Sequence, residues 1–151
     1  MAISNQAVAR TSDESEIRKL IEEWREAISA RDLDRLMKLY APDVHYFDVV
    51  PPYKHRGAAA YRRTWEMMFP HLPPRIGAEQ RDVEINVSGD LAVVRCLTRL
   101  INSETKETAA IGWVRVTVCF QRQQSTWRII HEHVSVPIDP MTSKAEFIRE
   151  P

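Results

Sequence analysis

Apolar residues recur at helical spacing in the first third of the chain. Three or four residues separate successive apolar positions and charged residues lie between them, as in an amphipathic helix. The apolar positions of the first segment are Ile17, Leu20, Ile21, Trp24 and Ile28. After a break at residues 30–32 the same spacing continues to Tyr40. The sequence therefore predicts a long helix and a short second helix, which Pro42 ends.

The period changes after Pro42. Residues 44–50 are mostly aromatic and β-branched and predict a strand. Helical spacing returns after Gly57 and ends near Pro70, which predicts a third helix. Four further strands are predicted at residues 83–87, 91–101, 109–122 and 127–136. This order predicts an α+β fold, in which one strongly curved antiparallel sheet carries three helices from the N-terminal half on its concave face.

The length of the chain, 151 residues, is that of one domain. With 44% apolar and 28% charged residues, the composition is typical of a globular domain. We divide the chain into a disordered leader at residues 1–11, a single folded domain at residues 12–137 and a C-terminal tail at residues 138–151.

The charge balance narrows the range of partners. Lys and Arg number 21, and so do Asp and Glu, so the net charge is zero. The chain therefore lacks the net positive charge that is typical of proteins that bind nucleic acid or an anionic membrane. The sequence shows no apolar run of membrane-spanning length and no signal peptide. Two cysteines, Cys96 and Cys119, are too few for a disulfide scaffold or a structural zinc site. We therefore expect a cytoplasmic location.

Three segments in this order carry a family resemblance. They are residues 32–44 (DLDRLMKLYAPDV), residues 47–52 (FDVVPP) with Arg56-Gly57, and residues 127–137 (WRIIHEHVSVP). Together they resemble the nuclear transport factor 2-like superfamily, in its SnoaL-like polyketide cyclase and ketosteroid isomerase-like branch. The resemblance implies a cone-shaped domain with a pocket open at one end, and a homodimer. It also implies no cofactor or metal for the members that are isomerases, cyclases or dehydratases; other members are binding or assembly modules.

The candidate catalytic residues are Asp48 and His133. A carboxylate among aromatic side chains resists ionisation, so the pKa of Asp48 should rise toward values useful for a general base. The competing hypothesis pairs Asp48 with Arg115, which would keep it ionised and make it a poor base. His131 and His133 share one face of the last strand and can exchange protons near neutral pH. Alternatively, these two histidines are structural or contact a dimer partner.

The candidate ligand-binding residues are polar or aromatic positions within the strands, the third helix and one loop. Arg95 and Arg115 interrupt apolar strands and would attract an anionic or carbonyl-bearing ligand. Trp113 shares a strand face with Arg115. Trp65 is predicted to lie in the core with one edge toward the ligand, and Tyr53 to lie at the mouth of the cone. His131 completes this set. The sequence places no set of metal ligands.

Three functions compete. In the leading hypothesis, the protein is a cofactor-independent isomerase, cyclase or dehydratase, and Asp48 is the base that acts on a small, apolar carbonyl compound. In the second, the pocket only binds a ligand, which Arg95 and Arg115 hold by its carboxylate. In the third, the protein is a dimeric assembly module whose pocket is filled by its own side chains.

Overall fold

The computed structural model describes the backbone of residues 2–151 and the side chains of residues 12–151. The helices are α1 (Ala2–Ala30), α2 (Leu33–Met37) and α3 (Ala58–Met68), followed by a 3-10 turn (Phe69–His71). The long strands are β1 (Tyr40–Phe47), β3 (Ile76–Ser88), β4 (Leu91–Asn102), β5 (Val114–Gln123) and β6 (Thr126–Ser135). The short strands are β2 (His55–Arg56), β7 (Ile138–Asp139) and β8 (Lys144–Ala145). The predicted leader at residues 1–11 lies outside the residues whose side chains are described, and it stays a prediction.

Six strands form one sheet in the order β2-β1-β6-β5-β4-β3. Strands β3, β4, β5 and β6 form a meander in which each strand pairs antiparallel with the next one along the chain, as predicted for this part of the sheet. Strand β1 runs parallel to β6, so the sheet is mixed, which corrects the prediction of a wholly antiparallel sheet. Because α3 and the whole meander separate β1 from β6 along the chain, no tight turn forces them to be antiparallel. The predicted α+β class is confirmed.

The helices lie on one face of the sheet. Helix α1 packs on β3 and on α2, and α3 packs on β1 and β2. Buried side chains of α1 and α3, among them Ile17, Ile28, Tyr61 and Trp65, meet the inner face of the sheet and form the core. None of the described helices combines the length and apolar character needed to cross a membrane.

A bulge in β6 changes which of its residues face the helices. On β5, Phe120 lies opposite Ile129 and the next residue, Cys119, lies opposite His131. One residue of β6, Ile130, is therefore extra. Because strand side chains alternate between faces, an extra residue moves every later side chain to the other face. Ile129 faces the core before the bulge, and Glu132 faces it after the bulge.

The second helix is shorter than predicted. Helix α2 ends at Met37, and β1 begins at Tyr40. The Leu39 carbonyl accepts a hydrogen bond from the Ile129 N–H at 2.8 Å, which commits this segment to the sheet. Tyr40 is consequently a buried strand residue, 2% exposed, and not the last apolar position of a helix.

The C-terminal residues pack against the segment that leads into β5. The Trp113 N–H donates to the Ile148 carbonyl at 3.1 Å, and β7 pairs with β8. Gly112 has a φ of +98°, and a Cβ atom at that position would lie 2.9 Å from the Ile148 oxygen. A side chain at residue 112 would therefore push this segment away. The proposed division of the chain into leader, domain and tail stays a prediction.

Arg31 joins the end of α1 to the segment after α3. Its guanidinium donates to the Phe69 carbonyl at 2.8 Å and to the Leu72 carbonyl at 3.1 Å, and also to the Pro73 carbonyl. The guanidinium also lies 5.0 Å from the centroid of the Phe69 ring. One charged side chain thus satisfies three carbonyl groups, and it fixes the position of α3 relative to α1.

We expect Arg31→Met to lower the free energy of unfolding by roughly 2–4 kcal/mol, because it leaves these carbonyls without their charged donor. Arg18→Met is the control, since Arg18 pairs with Glu14 on the exposed face of α1, and this substitution should change the free energy of unfolding by less than about 0.5 kcal/mol. Urea denaturation of both variants provides the measurement. Equal stabilities of the two would contradict the role assigned to Arg31.

Candidate active site

A cavity of about 110 Å³ lies between the helices and the inner face of the sheet. Its wall is mostly apolar and includes Val49, Met68, Leu100, Val116 and Val134. The polar side chains in the wall are Tyr46, Asp48, Tyr61, Thr64, Thr98, Arg99 and Glu132. An apolar cavity with a few convergent polar groups is the usual form of a small-molecule site.

Glu132 is the buried acid of this cavity. It is 4% exposed, and within the described part of the chain no other charged residue is as fully buried. Burial raises the pKa of Glu132 to about 7; the hydrogen bond from Tyr40 opposes this shift, and the nearby charge of Asp48 adds to it. Glu132 is therefore a carboxyl that gains and loses its proton near neutral pH.

A chain of two hydrogen bonds holds the Glu132 carboxyl. The Trp24 indole N–H donates to the Tyr40 hydroxyl oxygen at 3.0 Å, and that hydroxyl lies 2.7 Å from Glu132 Oε2. An indole nitrogen can only donate, so the Tyr40 oxygen accepts from Trp24 and its own proton is free for Glu132. The chain therefore has one direction, and it fixes the orientation of the carboxyl.

Two more tyrosines surround the carboxyl. The Tyr61 ring lies 4.9 Å from the Tyr40 ring and is stacked on the Tyr46 ring at 4.2 Å. Burial holds the pKa of each of the three phenols well above its ordinary value, and the charge of Glu132 raises it further. The hydroxyls consequently keep their protons across the physiological range and remain available as donors.

Asp48 lines the same cavity from the end of β1. It is half-buried, and its Oδ1 accepts from the Val49 N–H at 2.7 Å and from the Val50 N–H at 3.4 Å. Burial raises the pKa of Asp48, as predicted from the sequence, and the two backbone donors partly oppose the rise. Asp48 and Glu132 are thus two carboxyls in one cavity, with different exposure and different hydrogen-bond partners.

The competing hypothesis for Asp48 is wrong. Among the described side chains, Asp48 forms no ion pair with an arginine. Arg95 instead pairs with Glu84 at 3.0 Å and donates to Asn86 at 2.6 Å. Arg115 is exposed. Both arginines alternate with buried residues of β4 and β5, so they lie on the outer face of the sheet.

The two histidines also lie outside the cavity. His131 and His133 face outward, where the Phe47 ring lies 5.0 Å from His131 and 5.6 Å from His133. Placing them inside was wrong because the extra residue, Ile130, shifts the alternation of β6. The positions of these side chains therefore do not support a catalytic role for His133 or a ligand contact for His131.

The three predicted aromatic ligand contacts have different outcomes. Trp65 lines the cavity and is 4% exposed, as predicted. Trp113 is fully buried outside the cavity, between the guanidinium groups of Arg81 at 4.6 Å and Arg99 at 4.9 Å. Tyr53 is 81% exposed on its loop and does not line the cavity.

Sequence reasoning missed Glu132 and Tyr40. A usable signal was present, since Ile129 and Ile130 are adjacent apolar residues that break the alternation of the last strand. Such a break marks a bulge, after which the inward-facing and outward-facing positions of the strand are exchanged.

Within the described residues, no three His, Cys, Asp or Glu side chains are grouped in a way that could hold a metal ion.

Comparison with known proteins agrees with this architecture. The family model of the SnoaL-like domain matches residues 17–139. A crystal structure of a nuclear transport factor 2-like protein of unknown function from Pseudomonas putida KT2440 is 35% identical, with a TM-score of 0.83. The match covers 93% of this chain and 98% of that chain. No curated protein matches the chain.

More distant structures share the fold. A candidate dehydratase of the nuclear transport factor 2-like family from Streptomyces avermitilis is 19% identical, with a TM-score of 0.71 over 85% of this chain and 99% of that chain. A nuclear transport factor 2-like protein with a cystatin-like fold from Novosphingobium aromaticivorans is 18% identical, with a TM-score of 0.71 over 93% of this chain and 92% of that chain. The nuclear transport factor 2-like fold and the SnoaL-like branch that the sequence resemblance implies are confirmed, and the ketosteroid isomerase-like part of the resemblance stays an expectation.

The pKa of Glu132 predicts how stability depends on pH. It is 4.5 ordinarily and about 7 in the folded protein, so ionisation opposes folding. The stability that the neutral form provides is complete below pH 4.5 and is lost as the pH rises through about 7. The shift corresponds to roughly 3 kcal/mol. Glu132→Gln keeps an acceptor for Tyr40 without the charge, so it should remove this loss.

The measurement is the free energy of unfolding in urea at several pH values between about 5 and 8. Relative to the wild type, Glu132→Gln should gain roughly 2–3 kcal/mol across this interval. Glu146→Gln, at an exposed position near the C-terminus, is the control and should follow the wild type at every pH. A constant difference between Glu132→Gln and the wild type would show that Glu132 does not titrate in this range.

Proposed function

The chain belongs to the SnoaL-like domain family, and on that premise we propose that it is a cofactor-independent isomerase, cyclase or dehydratase that moves a proton on a small, largely apolar carbonyl compound. The observation that carries the proposal is the pair of carboxyls, Asp48 and Glu132, in the wall of one apolar cavity. Acid and base roles are commonly divided between two titratable groups whose environments separate their pKa values.

Asp48 is the proposed general base. Its half-buried position and the two backbone donors keep it the more easily ionised of the two carboxyls. A pKa raised by burial makes the carboxylate a stronger base than an exposed one. Asp48 would take a proton from the carbon next to the substrate carbonyl, and the electron pair of the broken C–H bond would move onto the carbonyl oxygen.

Glu132 is the proposed acid. With a pKa of about 7, a large fraction of Glu132 is protonated at neutral pH and can donate a hydrogen bond or a proton to that oxygen. Tyr40 and Trp24 are positioning residues, since they act through the Glu132 carboxyl. Return of the proton to a different carbon completes an isomerisation. In a dehydration, the electron pair returns from the oxygen and breaks the bond to a hydroxyl group on the next carbon. That group leaves as water with the proton that Asp48 took, the class of chemistry suggested for the Streptomyces relative.

The two alternative functions have lost part of their support. The binding hypothesis relied on Arg95 and Arg115 to hold a carboxylate, and both lie on the outer face of the sheet. The assembly hypothesis relied on a pocket filled by the protein's own side chains, whereas open space of about 110 Å³ lies beside Asp48 and Glu132. Ligand binding without turnover in this cavity is the alternative that an experiment has to separate from catalysis.

The partners that we expect are a small-molecule ligand and a second copy of the chain. The family resemblance implies a homodimer, and the outer face that carries Phe47, His131 and His133 is the surface we expect to be covered in it. A cytoplasmic location and the absence of nucleic-acid binding are likewise expectations from composition.

The proposal predicts that the protein catalyses exchange of carbon-bound hydrogen. Small cyclic enones and ketones are incubated with the protein in D₂O, and deuterium incorporation next to the carbonyl is followed by NMR. Asp48→Asn should slow the catalysed exchange by about 100-fold or more, because a general base contributes at least that factor. Asp43→Asn, at an exposed position of β1, is the matched control and should keep the wild-type rate.

Binding of these compounds without exchange, or exchange that Asp48→Asn leaves intact, would contradict the proposal. The first result would favour a ligand-binding protein. The second would place the base elsewhere in the cavity.

A further inference from the structure

A second cavity, of about 40 Å³, lies between α1 and the inner positions of the sheet. Its wall is mostly apolar and includes Leu20, Ile21, Val94, Val118, Phe120 and Ile129. Its polar side chains are Gln80, Thr98 and Glu132. Because apolar side chains make up most of the wall, the space suits a small apolar group. The proton-transfer chemistry proposed above makes no use of this space.

The two cavities are adjacent. Trp24, Thr98, Val116 and Glu132 line both of them, so the two spaces meet at these four side chains, which we call the partition. Glu132 belongs to this partition and is also the proposed acid. A ligand whose carbonyl lies against Glu132 in the larger cavity is therefore within one side-chain thickness of the smaller cavity.

We propose that the two cavities are two compartments of one ligand site. The larger compartment holds the carbonyl-bearing part of the ligand beside Asp48 and Glu132, and the smaller one holds an alkyl substituent of a few carbon atoms. This assignment rests on the proposed function only for the position of the carbonyl group. It specifies the substrate class as small carbonyl compounds that carry a short alkyl chain.

Cys96 offers a way to test the smaller compartment. It is 8% exposed and lines the smaller cavity but not the larger one. Its Sγ lies 3.4 Å from the Thr98 hydroxyl of the partition. Cys119, on the outer face of the neighbouring strand and opposite His131, provides the matched position outside both cavities. The substitution Cys→Met adds an unbranched apolar chain, which would occupy the small cavity at residue 96 and no cavity at residue 119.

The experiment measures the affinity of cyclohex-2-enones with methyl, ethyl or propyl groups at carbon 2, by calorimetry at pH 6. In the wild type, each added methylene should tighten binding about fourfold until the compartment is full. Cys96→Met should abolish this increase, so that the three compounds bind that variant with affinities within about twofold of one another. Cys119→Met should behave as the wild type.

A second measurement does not depend on the folding of Cys96→Met. In the Cys119→Ser protein, methyl methanethiosulfonate labels the single remaining thiol, Cys96, and mass spectrometry follows the rate. The propyl enone at saturation should slow labelling at least tenfold, and the methyl enone by much less. Equal protection by the two compounds would overturn the proposal.

The other outcomes separate this proposal from the proposed function. An equal affinity for the three enones, or a chain-length effect that survives in Cys96→Met, would overturn the two-compartment site even if deuterium exchange occurs. A chain-length effect that Cys96→Met removes, without any exchange, would support the two compartments and contradict the chemistry. Failure of every enone to bind would overturn both.

Discussion

One extra residue in β6 determines which chemical groups the interior of this protein contains. Ile130 has no counterpart on β5, and the side chains that follow it change faces. Glu132 therefore enters the core, while His131 and His133 move to the outer face. Without the bulge, the interior would contain two imidazoles instead of a carboxyl, and the chemistry of the cavity would be different.

Burying the Glu132 carboxyl costs free energy, and its surroundings reduce this cost without removing all of it. A carboxylate without partners in an apolar core is strongly destabilising, and Tyr40 supplies one charge-assisted hydrogen bond. The indole N–H of Trp24 supports Tyr40 from behind. The remaining cost appears as the raised pKa of Glu132. The hydrogen bonds to Glu132 offset only part of the cost of its burial, so the fold is less stable than it would be with an apolar residue there. In return, a proton donor lies beside the cavity.

The sequence predicted the fold well and the site in part, for a physical reason. Helical and strand periods are averages over many residues, so the helices, the meander and the α+β class follow from them. The face of the sheet on which a single side chain lies depends on its place in the alternation along the strand. One bulge moves every later side chain to the opposite face. Asp48 was found because it follows β1 directly and depends on no later register. Arg115 was misplaced because an arginine among apolar residues was taken as buried, whereas β5 presents it to the outside.

The central claim is that Glu132 gains and loses its proton near neutral pH inside the cavity. Carbon-13 NMR of protein labelled at the glutamate carboxyls measures this protonation directly. We predict one carboxyl resonance that titrates with a pKa of about 7, is absent from Glu132→Gln and shifts when a ligand fills the cavity. Titration of every glutamate near the ordinary value of 4.5 would contradict the account, because Glu132 would then be a solvated carboxylate and could not serve as the acid of the site.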